Sequence, residues 1–95
     1  MKKPKTIPFD VVDYFKTPGD IAAYLVAAFE DGDAHVISHA LGNILRARGM
    51  PAIARKAGVD RKSLYKALSA DGNPELATFL KVMQALGLRL HAEPG

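Results

Sequence analysis

The sequence contains no cysteine, no tryptophan and no long apolar run. Without cysteine, neither a disulfide framework nor a thiolate metal site is possible. No apolar stretch approaches the roughly 20 residues that a membrane-spanning helix needs. The early lysines Lys2, Lys3 and Lys5 are not followed by the apolar segment of a signal peptide, so we expect a cytoplasmic protein.

Motifs of catalysis and of cofactor binding are also missing. The serines Ser38, Ser63 and Ser69 have no nucleophile context, the carboxylates are scattered, and the glycines form no phosphate loop. His35 and His39 lie four residues apart and could face one metal ion, but zinc needs three or four ligands and no other cluster supplies them. We therefore expect no enzyme, no cofactor and no metal site.

The chain does have enough apolar residues for one core. Its 95 residues are 48% hydrophobic, which suits one domain of modest stability. Met1 to Pro8 is polar, basic and interrupted by Pro4, so we expect a mobile tail over residues 1–8. Residues 9–95 are predicted to form a single helical domain.

Charge is divided unevenly along the chain. From Arg46 to Lys66 there are seven basic residues and one acid, whereas from Thr6 to Leu45 there are one base and six acids. The net charge of +3 conceals this division. A basic middle and an acidic front indicate two surfaces for two kinds of partner, although charge clusters are often only solvated faces.

Two amphipathic helices are predicted in the first half of the domain. Thr17-Pro18-Gly19-Asp20 combines a cap, a proline at the first helical position and an acid in the first turn. Apolar residues follow at helical spacing, namely Ile21, Tyr24, Leu25, Ala28 and Phe29. The next helix is predicted from about Ala34 to Arg48, between a cap at Asp33 and an end at Gly49. Its buried side would consist of Ile37, Ala40, Leu41, Ile44 and Leu45.

A shorter helix is predicted before these two. Asp10 can cap a helix that runs to about Lys16, with Phe9 and either Val12 or Phe15 on its apolar side. These aromatic side chains either fold back on the domain or dock on a partner.

The stretch from Met50 to Ser69 is predicted to be two short helices joined by a tight turn. Pro51 suits the first turn of a helix, Gly58 suits a left-handed helix end, and Asp60 can cap the second helix. The apolar positions that would face a shared core are Ile53, Ala57, Val59, Leu64 and Leu68. The second helix then has a basic, polar outer face made of Arg61, Lys62, Ser63, Tyr65 and Lys66. Such a face suits the major groove of DNA, and an ordinary helical hairpin with a solvated basic face is the alternative.

The last third of the chain is predicted to be a helix and a short strand. Asn73 would cap the helix, Pro74 would take its first position, and Gly87 would end it. Its apolar face would consist of Leu76, Phe79, Leu80, Met83 and Leu86. From Leu88 to Glu93 apolar and polar residues alternate, which predicts a β-strand. Since a single strand is unstable, we expect it to pair with a second copy through Leu88, Leu90 and Ala92, an extended tail being the alternative.

These pieces, in this order, resemble a known family. The chain resembles the addiction-module antidote proteins, small antitoxins with a λ-repressor-like (XRE-type) helix-turn-helix domain, related in role to HigA-type antitoxins. The resemblance runs from about Phe9 to Glu93 and rests on Tyr24-Leu25, Arg46-Ala-Arg-Gly-Met50, Ala54 to Gly58, Arg61-Lys-Ser-Leu-Tyr-Lys-Ala-Leu68, Asp71-Gly-Asn-Pro74 and Ala85-Leu-Gly-Leu88. One departure is Met50-Pro51, where many λ-repressor-like domains carry a glutamine that touches phosphate. The expected fold is therefore all-α and λ-repressor-like, with extra N-terminal helices and a short C-terminal β-strand.

The resemblance implies a cytoplasmic bacterial protein that neutralises a toxin, typically a RelE-like ribonuclease, and represses their shared operon. For reading DNA bases we expect Arg61, Lys62, Ser63 and Lys66, with Tyr65 reaching a phosphate or a thymine methyl group. For positioning on the phosphate backbone we expect Arg55, Lys56 and Asn73. Arg46 and Arg48 are weaker candidates. One domain has a small footprint, so double-stranded DNA with a two-fold site would be bound by a homodimer.

The acidic front suits a basic toxin, because an RNA-cleaving protein needs positive charge for its substrate. We expect the toxin to bind within the segment from Phe9 to Asp33, through Phe9, Tyr14, Phe15 and Asp20. Two other functions stay open: a stand-alone phage- or plasmid-type repressor without a toxin, and a toxin-binding protein whose DNA face is weak.

Overall fold

The computed structural model describes residues 15–69 and 72–95 and is mainly helical. Within these ranges there are five helices and no strand. The helices are α1 (Pro18–Asp31), α2 (Ala34–Arg48), α3 (Met50–Ala57), α4 (Arg61–Ala67) and α5 (Leu76–Ala85). No helix in the described part of the chain combines the length and the apolar character needed to cross a membrane. The all-α prediction is therefore confirmed at the level of secondary structure.

The signals that begin and end α1 and α2 act as predicted. Thr17 and Asp20 form a capping box, in which the Thr17 hydroxyl accepts from the Asp20 N–H and the Asp20 carboxylate accepts from the Thr17 N–H. Gly32 ends α1, and the Asp33 carboxylate then caps α2 by accepting from the His35 N–H at 2.8 Å. Gly49 ends α2.

One apolar core joins the five helices. α1 packs on α2, α2 packs on α3, and α3 also contacts α4 and α5. The largest fully buried side chains are Phe15, Ile21, Leu25, Leu41, Ile44, Leu45, Leu64 and Val82. Burying such aliphatic and aromatic side chains is the main contribution to the stability of a domain of this size.

Phe15 belongs to this core. Its side chain is only 1% exposed, and its ring meets the ring of Tyr24 edge to face, with 4.9 Å between the centroids. The guanidinium of Arg48, at the end of α2, donates a hydrogen bond of 3.1 Å to the carbonyl oxygen of Phe15. Phe15 therefore folds back on the domain, which was one of the two predicted alternatives. Its predicted contact with the toxin was wrong, because the buried side chain leaves no surface for a partner.

A second set of polar contacts joins α1 to α2. The side-chain amide of Asn43 donates to the Tyr24 hydroxyl at 3.1 Å, and Arg46 donates to the Asn43 side-chain oxygen at 2.8 Å. Arg46 and Arg48, the weaker candidates for phosphate contact, thus both make hydrogen bonds within the protein.

The start of α5 differs from the prediction, and its buried face agrees with the prediction for Phe79, Met83 and Leu86 only. The helix begins at Leu76 after Glu75, so Asn73 does not cap it and Pro74 precedes it by two residues. Its buried residues are Val82, Met83, Ala85 and Leu86, with Phe79 partly buried. Leu76 and Leu80, which were predicted to be buried, are 70% and 45% exposed. The reason is that α5 is apolar on most of its circumference, and the stripe through Val82 is the one that meets α3.

Residues 88–95 are neither helix nor strand in this single chain. They follow Gly87, whose φ of +81° turns the backbone away from α5. Leu88 is partly buried against the core, whereas Leu90 and Ala92 are exposed. Because a strand needs a partner, its pairing with a second copy stays a prediction.

The first fourteen residues, and residues 70 and 71, lie outside the described residues. The predicted mobile tail over 1–8, the short helix from Asp10, and the proposed contacts of Phe9 and Tyr14 are therefore not addressed by the structure.

Candidate functional site

The connection between α3 and α4 consists of Gly58, Val59 and Asp60. Gly58 has a φ of +74°, a left-handed conformation that glycine adopts without steric cost. The Val59 N–H donates to the Ala54 carbonyl at 3.0 Å, which closes the end of α3, and Val59 packs against the core. The turn is therefore held by a backbone hydrogen bond and by the packing of the Val59 side chain.

Asp60 begins α4. Its carboxylate accepts from the Ser63 backbone N–H at 2.9 Å and from the Ser63 hydroxyl at 3.1 Å. This is the predicted cap. In the second bond the Ser63 hydroxyl is the donor. Its oxygen is then left to accept hydrogen bonds from other groups.

α4 is anchored by one side and exposed on the other. Leu64 is 1% exposed and Leu68 is 5% exposed, so these two leucines hold the helix against the core. Apart from the half-buried Ala67, the residues between them and before them in α4 are exposed, namely Arg61, Lys62, Ser63, Tyr65 and Lys66. The sequence predicted this division of α4 correctly.

The exposed cations of α3 and α4 form what we call the basic face: Arg55, Lys56, Arg61, Lys62 and Lys66. None of them makes an ion pair with another described residue, so their charges are free for an anionic partner. Asp60 is the one acid that lies within this stretch, and its carboxylate is occupied by the cap.

The loop after α4 is held closely against the end of that helix. The Gly72 N–H donates to the Ser69 carbonyl at 2.9 Å. A side chain at Gly72 would collide with the backbone carbonyls of Lys66 and Ala67. Asn73, which follows, is exposed. The structure thus brings the loop that carries Asn73 next to α4, although Asn73 does not cap α5.

Met50 explains the departure at the head of α3. Its side chain is 3% exposed and belongs to the core, and Pro51 is exposed but carries no polar group. The position therefore serves packing, and it offers no side-chain hydrogen bond to a phosphate.

The structure also contains a groove that the sequence did not predict, formed by α1, α2, α5 and the C-terminal segment. We call it the leucine groove, and it has a volume of about 490 Å³ and is lined by Phe29, Ala34, Ile37, Ser38, Asn73, Pro74, Leu76, Phe79, Leu90 and His91. Leu76 and Leu90 are 70% and 42% exposed at its border. The only signal in the sequence was that α5 has more apolar residues than one buried stripe requires.

The remaining predicted residues have ordinary roles. Asp20 is exposed, and its carboxylate accepts from the N–H groups of Lys16 and Thr17 at the start of α1. His35 and His39 are both exposed, and no group of three possible metal ligands occurs among the described residues.

These features define a small, mainly helical protein with a basic face and a separate apolar groove. The chain belongs to the family described as "probable addiction module antidote protein", whose model matches residues 5–94. An uncharacterized protein of Haemophilus influenzae (strain Rd) is 45% identical over 85 residues, which cover 90% of this chain and 88% of that protein. No solved structure matches the chain significantly. Membership of this family supports an antitoxin role, and it implies a toxin as partner.

Proposed function

We propose that this chain is the DNA-binding antitoxin of a type II toxin–antitoxin module. It neutralises a RelE-like toxin in the bacterial cytoplasm and represses the operon that encodes both proteins. It acts by binding rather than by catalysis. The observation that supports the DNA-binding part is the basic face on α3 and α4, because two short helices joined by a three-residue turn suit a helix-turn-helix motif.

In this proposal α4 is the reading helix. Its exposed residues Arg61, Lys62, Ser63 and Lys66 would enter the major groove, where arginine and lysine bind the O6 and N7 acceptors of guanine. Tyr65, which is 51% exposed, would contact a thymine methyl group or a phosphate.

Ser63 has a narrower role than its hydroxyl suggests. While its hydroxyl donates to Asp60, the oxygen is left to accept a hydrogen bond from DNA. The major-groove donors are the exocyclic amines of adenine and cytosine, so Ser63 is assigned to one of these bases.

Arg55 and Lys56 on α3, and Asn73 in the loop after α4, would hold the DNA backbone. Their exposed positions before and after α4 suit contacts to phosphates on either side of the groove. Such contacts fix the register of the protein on DNA without reading its sequence.

A seven-residue reading helix covers few base pairs, so specific binding needs two copies on a two-fold site. Leu88, Leu90 and Ala92 are the proposed dimer contacts. Leu90 and Ala92 are exposed, which suits strand pairing with a second copy.

The toxin is assigned to the acidic front of the chain. Asp20 is exposed near the start of α1 and is available for a long-range interaction with a basic protein, while its hydrogen bonds cap the helix. Phe9 and Tyr14 complete the proposed contacts, and Phe15 is no longer one of them because it is buried.

Two measurements test the proposal together. A gel shift with the DNA upstream of the chain's own gene should give a specific complex that nonspecific DNA does not compete away. Co-expression with the product of the adjacent gene should restore growth that this product alone arrests. Specific DNA binding without growth rescue would indicate a stand-alone repressor, and rescue without specific DNA binding would indicate a toxin-binding protein with a weak DNA face.

A further inference from the structure

The leucine groove is an apolar surface that the described residues leave open. It is formed where the end of α1, the start of α2 and the start of α5 meet the C-terminal segment. Leu76, at its border, is 70% exposed. It is the most exposed large apolar residue in the described part of the chain. Leu80 lies one turn further along α5 and is 45% exposed. Adjacent exposed apolar side chains that contribute little to a core mark an interaction surface.

Acidic residues adjoin the lining of this groove in the chain. Glu30, Asp33 and Glu75 are exposed, and each is the chain neighbour of a residue that lines it. Arg89, the neighbour of Leu90, is the one arginine or lysine among these chain neighbours. Carboxylates therefore outnumber arginine and lysine side chains next to the lining residues, in contrast to the basic face on α3 and α4.

This charge favours a basic partner over a second copy of the chain. In a two-fold dimer centred on the groove, the same three carboxylates of each copy would approach one another, which costs free energy. A segment with lysine or arginine beside its apolar residues would instead place opposite charges together.

We propose that the leucine groove is the docking site for the toxin, and that it binds an amphipathic helix of that protein whose apolar stripe is flanked by lysine or arginine. This proposal rests on the antitoxin role proposed above and moves the main contact to the end of the acidic front that carries Glu30 and Asp33. Leu90, at the border of the groove, is also a proposed dimer contact, so the toxin helix is assigned to the row formed by Leu76 and Leu80 on α5, which has the spacing with which one helix packs along another.

A neighbouring groove offers a direct comparison. It has a volume of about 530 Å³, lies between α1 and residues 88–95, and includes Val26, Glu30, Arg89 and Glu93 in its lining. Arg89 belongs to the lining of this neighbouring groove, whereas the leucine groove has no arginine or lysine in its lining, so the neighbouring groove suits a basic helix less well. Val26 is 50% exposed there, which makes Val26→Glu a control for Leu76→Glu with the same charge change on an exposed aliphatic residue.

The test uses the full chain and the purified product of the adjacent gene as the probe. Leu76→Glu should weaken binding measured by calorimetry by on the order of 100-fold, because a carboxylate would be buried in an apolar contact. Val26→Glu should leave the affinity within about threefold of the wild type. Glu75→Lys should also weaken binding and reduce its dependence on salt. We expect each variant to fold, because Leu76 is exposed and contributes little to the core. Circular dichroism would check this.

The outcomes separate this proposal from the function on which it rests. If the wild type and Leu76→Glu bind the probe equally, the groove assignment is overturned and the antitoxin function stands. If Val26→Glu is the variant that fails to bind, the toxin occupies the neighbouring groove and the assignment is again overturned. If Leu76→Glu instead converts a dimer to a monomer in ultracentrifugation while binding the probe normally, the groove joins two copies of the chain. If the wild type does not bind the probe, both the groove assignment and the antitoxin function fail.

Discussion

At the scale of single residues, Asp60 connects the fold of the motif to its proposed chemistry. The carboxylate holds the first turn of α4 by accepting from the Ser63 backbone N–H, and it also accepts a hydrogen bond from the Ser63 hydroxyl. One residue thus sets where α4 begins and what Ser63 can offer to a base.

Ser63→Ala tests this assignment without removing the cap, because the backbone bond from residue 63 to Asp60 remains. We expect a loss of about 1 kcal/mol in DNA binding, confined to one base pair that presents the amine of adenine or cytosine. Affinities measured on operator sequences with each base pair replaced in turn would locate it. Ser69→Ala is the matched control. Ser69 lies beyond the end of α4, and its hydroxyl donates to the Lys66 carbonyl. An equal loss at every base pair would contradict the role of Ser63 in reading.

Arg61→Ala should affect sequence preference more strongly. A guanidinium that binds guanine through two parallel hydrogen bonds contributes about 1–3 kcal/mol of discrimination, so the variant should lose about that much and tolerate any base at one position. Competition gel shifts with substituted operators would measure both effects. Arg89→Ala removes the same charge outside the basic face and should leave the preference intact. If Arg61→Ala keeps the full preference, Arg61 is not a reading residue.

Lys56→Ala should behave differently, because a contact to phosphate carries no sequence information. We expect weaker binding to all DNA sequences alike and a salt dependence whose slope falls by about one unit. Titrations at several salt concentrations would measure the slope. A change at only one base pair would move Lys56 into the reading set.

At the scale of the elements, the turn between α3 and α4 depends on one backbone conformation. Gly58→Ala should destabilise the protein by about 1–2 kcal/mol, because an L residue is strained at a φ of +74° although no atom lies within 4 Å of the added Cβ. Gly19→Ala, in the first turn of α1, makes the same change where the backbone is helical. It should stabilise the protein by about 0.5 kcal/mol. Urea unfolding of both variants would measure the opposite signs, and a neutral Gly58→Ala would show that the turn tolerates another conformation.

The helix signals explain why much of the fold could be predicted from the sequence. Thr17, Asp33 and Asp60 cap helices through bonds to backbone groups two or three residues away, so the information is local. The separation of Leu64 and Leu68 from the basic residues of α4 is equally local, because it follows from helical spacing.

The features that the sequence did not reveal depend on distant contacts. In α5, the stripe through Leu76 and Leu80 and the stripe through Val82 both have helical spacing, and only the position of α3 decides which is buried. The hydrogen bond from Arg48 to the Phe15 carbonyl joins residues 33 positions apart, and no periodicity indicates it. The leucine groove was missed for the same reason, since it exists only where four segments meet.

At the scale of the whole molecule, the chain separates two chemistries. The basic face is built from α3 and α4, whereas acidic residues lie along α1, at the turn into α2 and before α5. Asn73 is the residue proposed for DNA that also lines the leucine groove. Asn73 therefore belongs to both proposed surfaces.

The C-terminal segment is the proposed contact between two copies of the chain. Deleting Leu88 to Gly95 should convert a dimer to a monomer and weaken operator binding, because each reading helix would then bind one half-site alone. The deletion also removes the core contact of Leu88, so a second variant keeps the chain intact. The double variant His91→Pro with Ala92→Pro removes one N–H from each edge of the segment and thereby blocks strand pairing. Sedimentation velocity of both variants measures the oligomeric state, with removal of Pro94 and Gly95 as the control that should remain dimeric. A dimer that persists in the double proline variant would assign the two-fold contact to another surface.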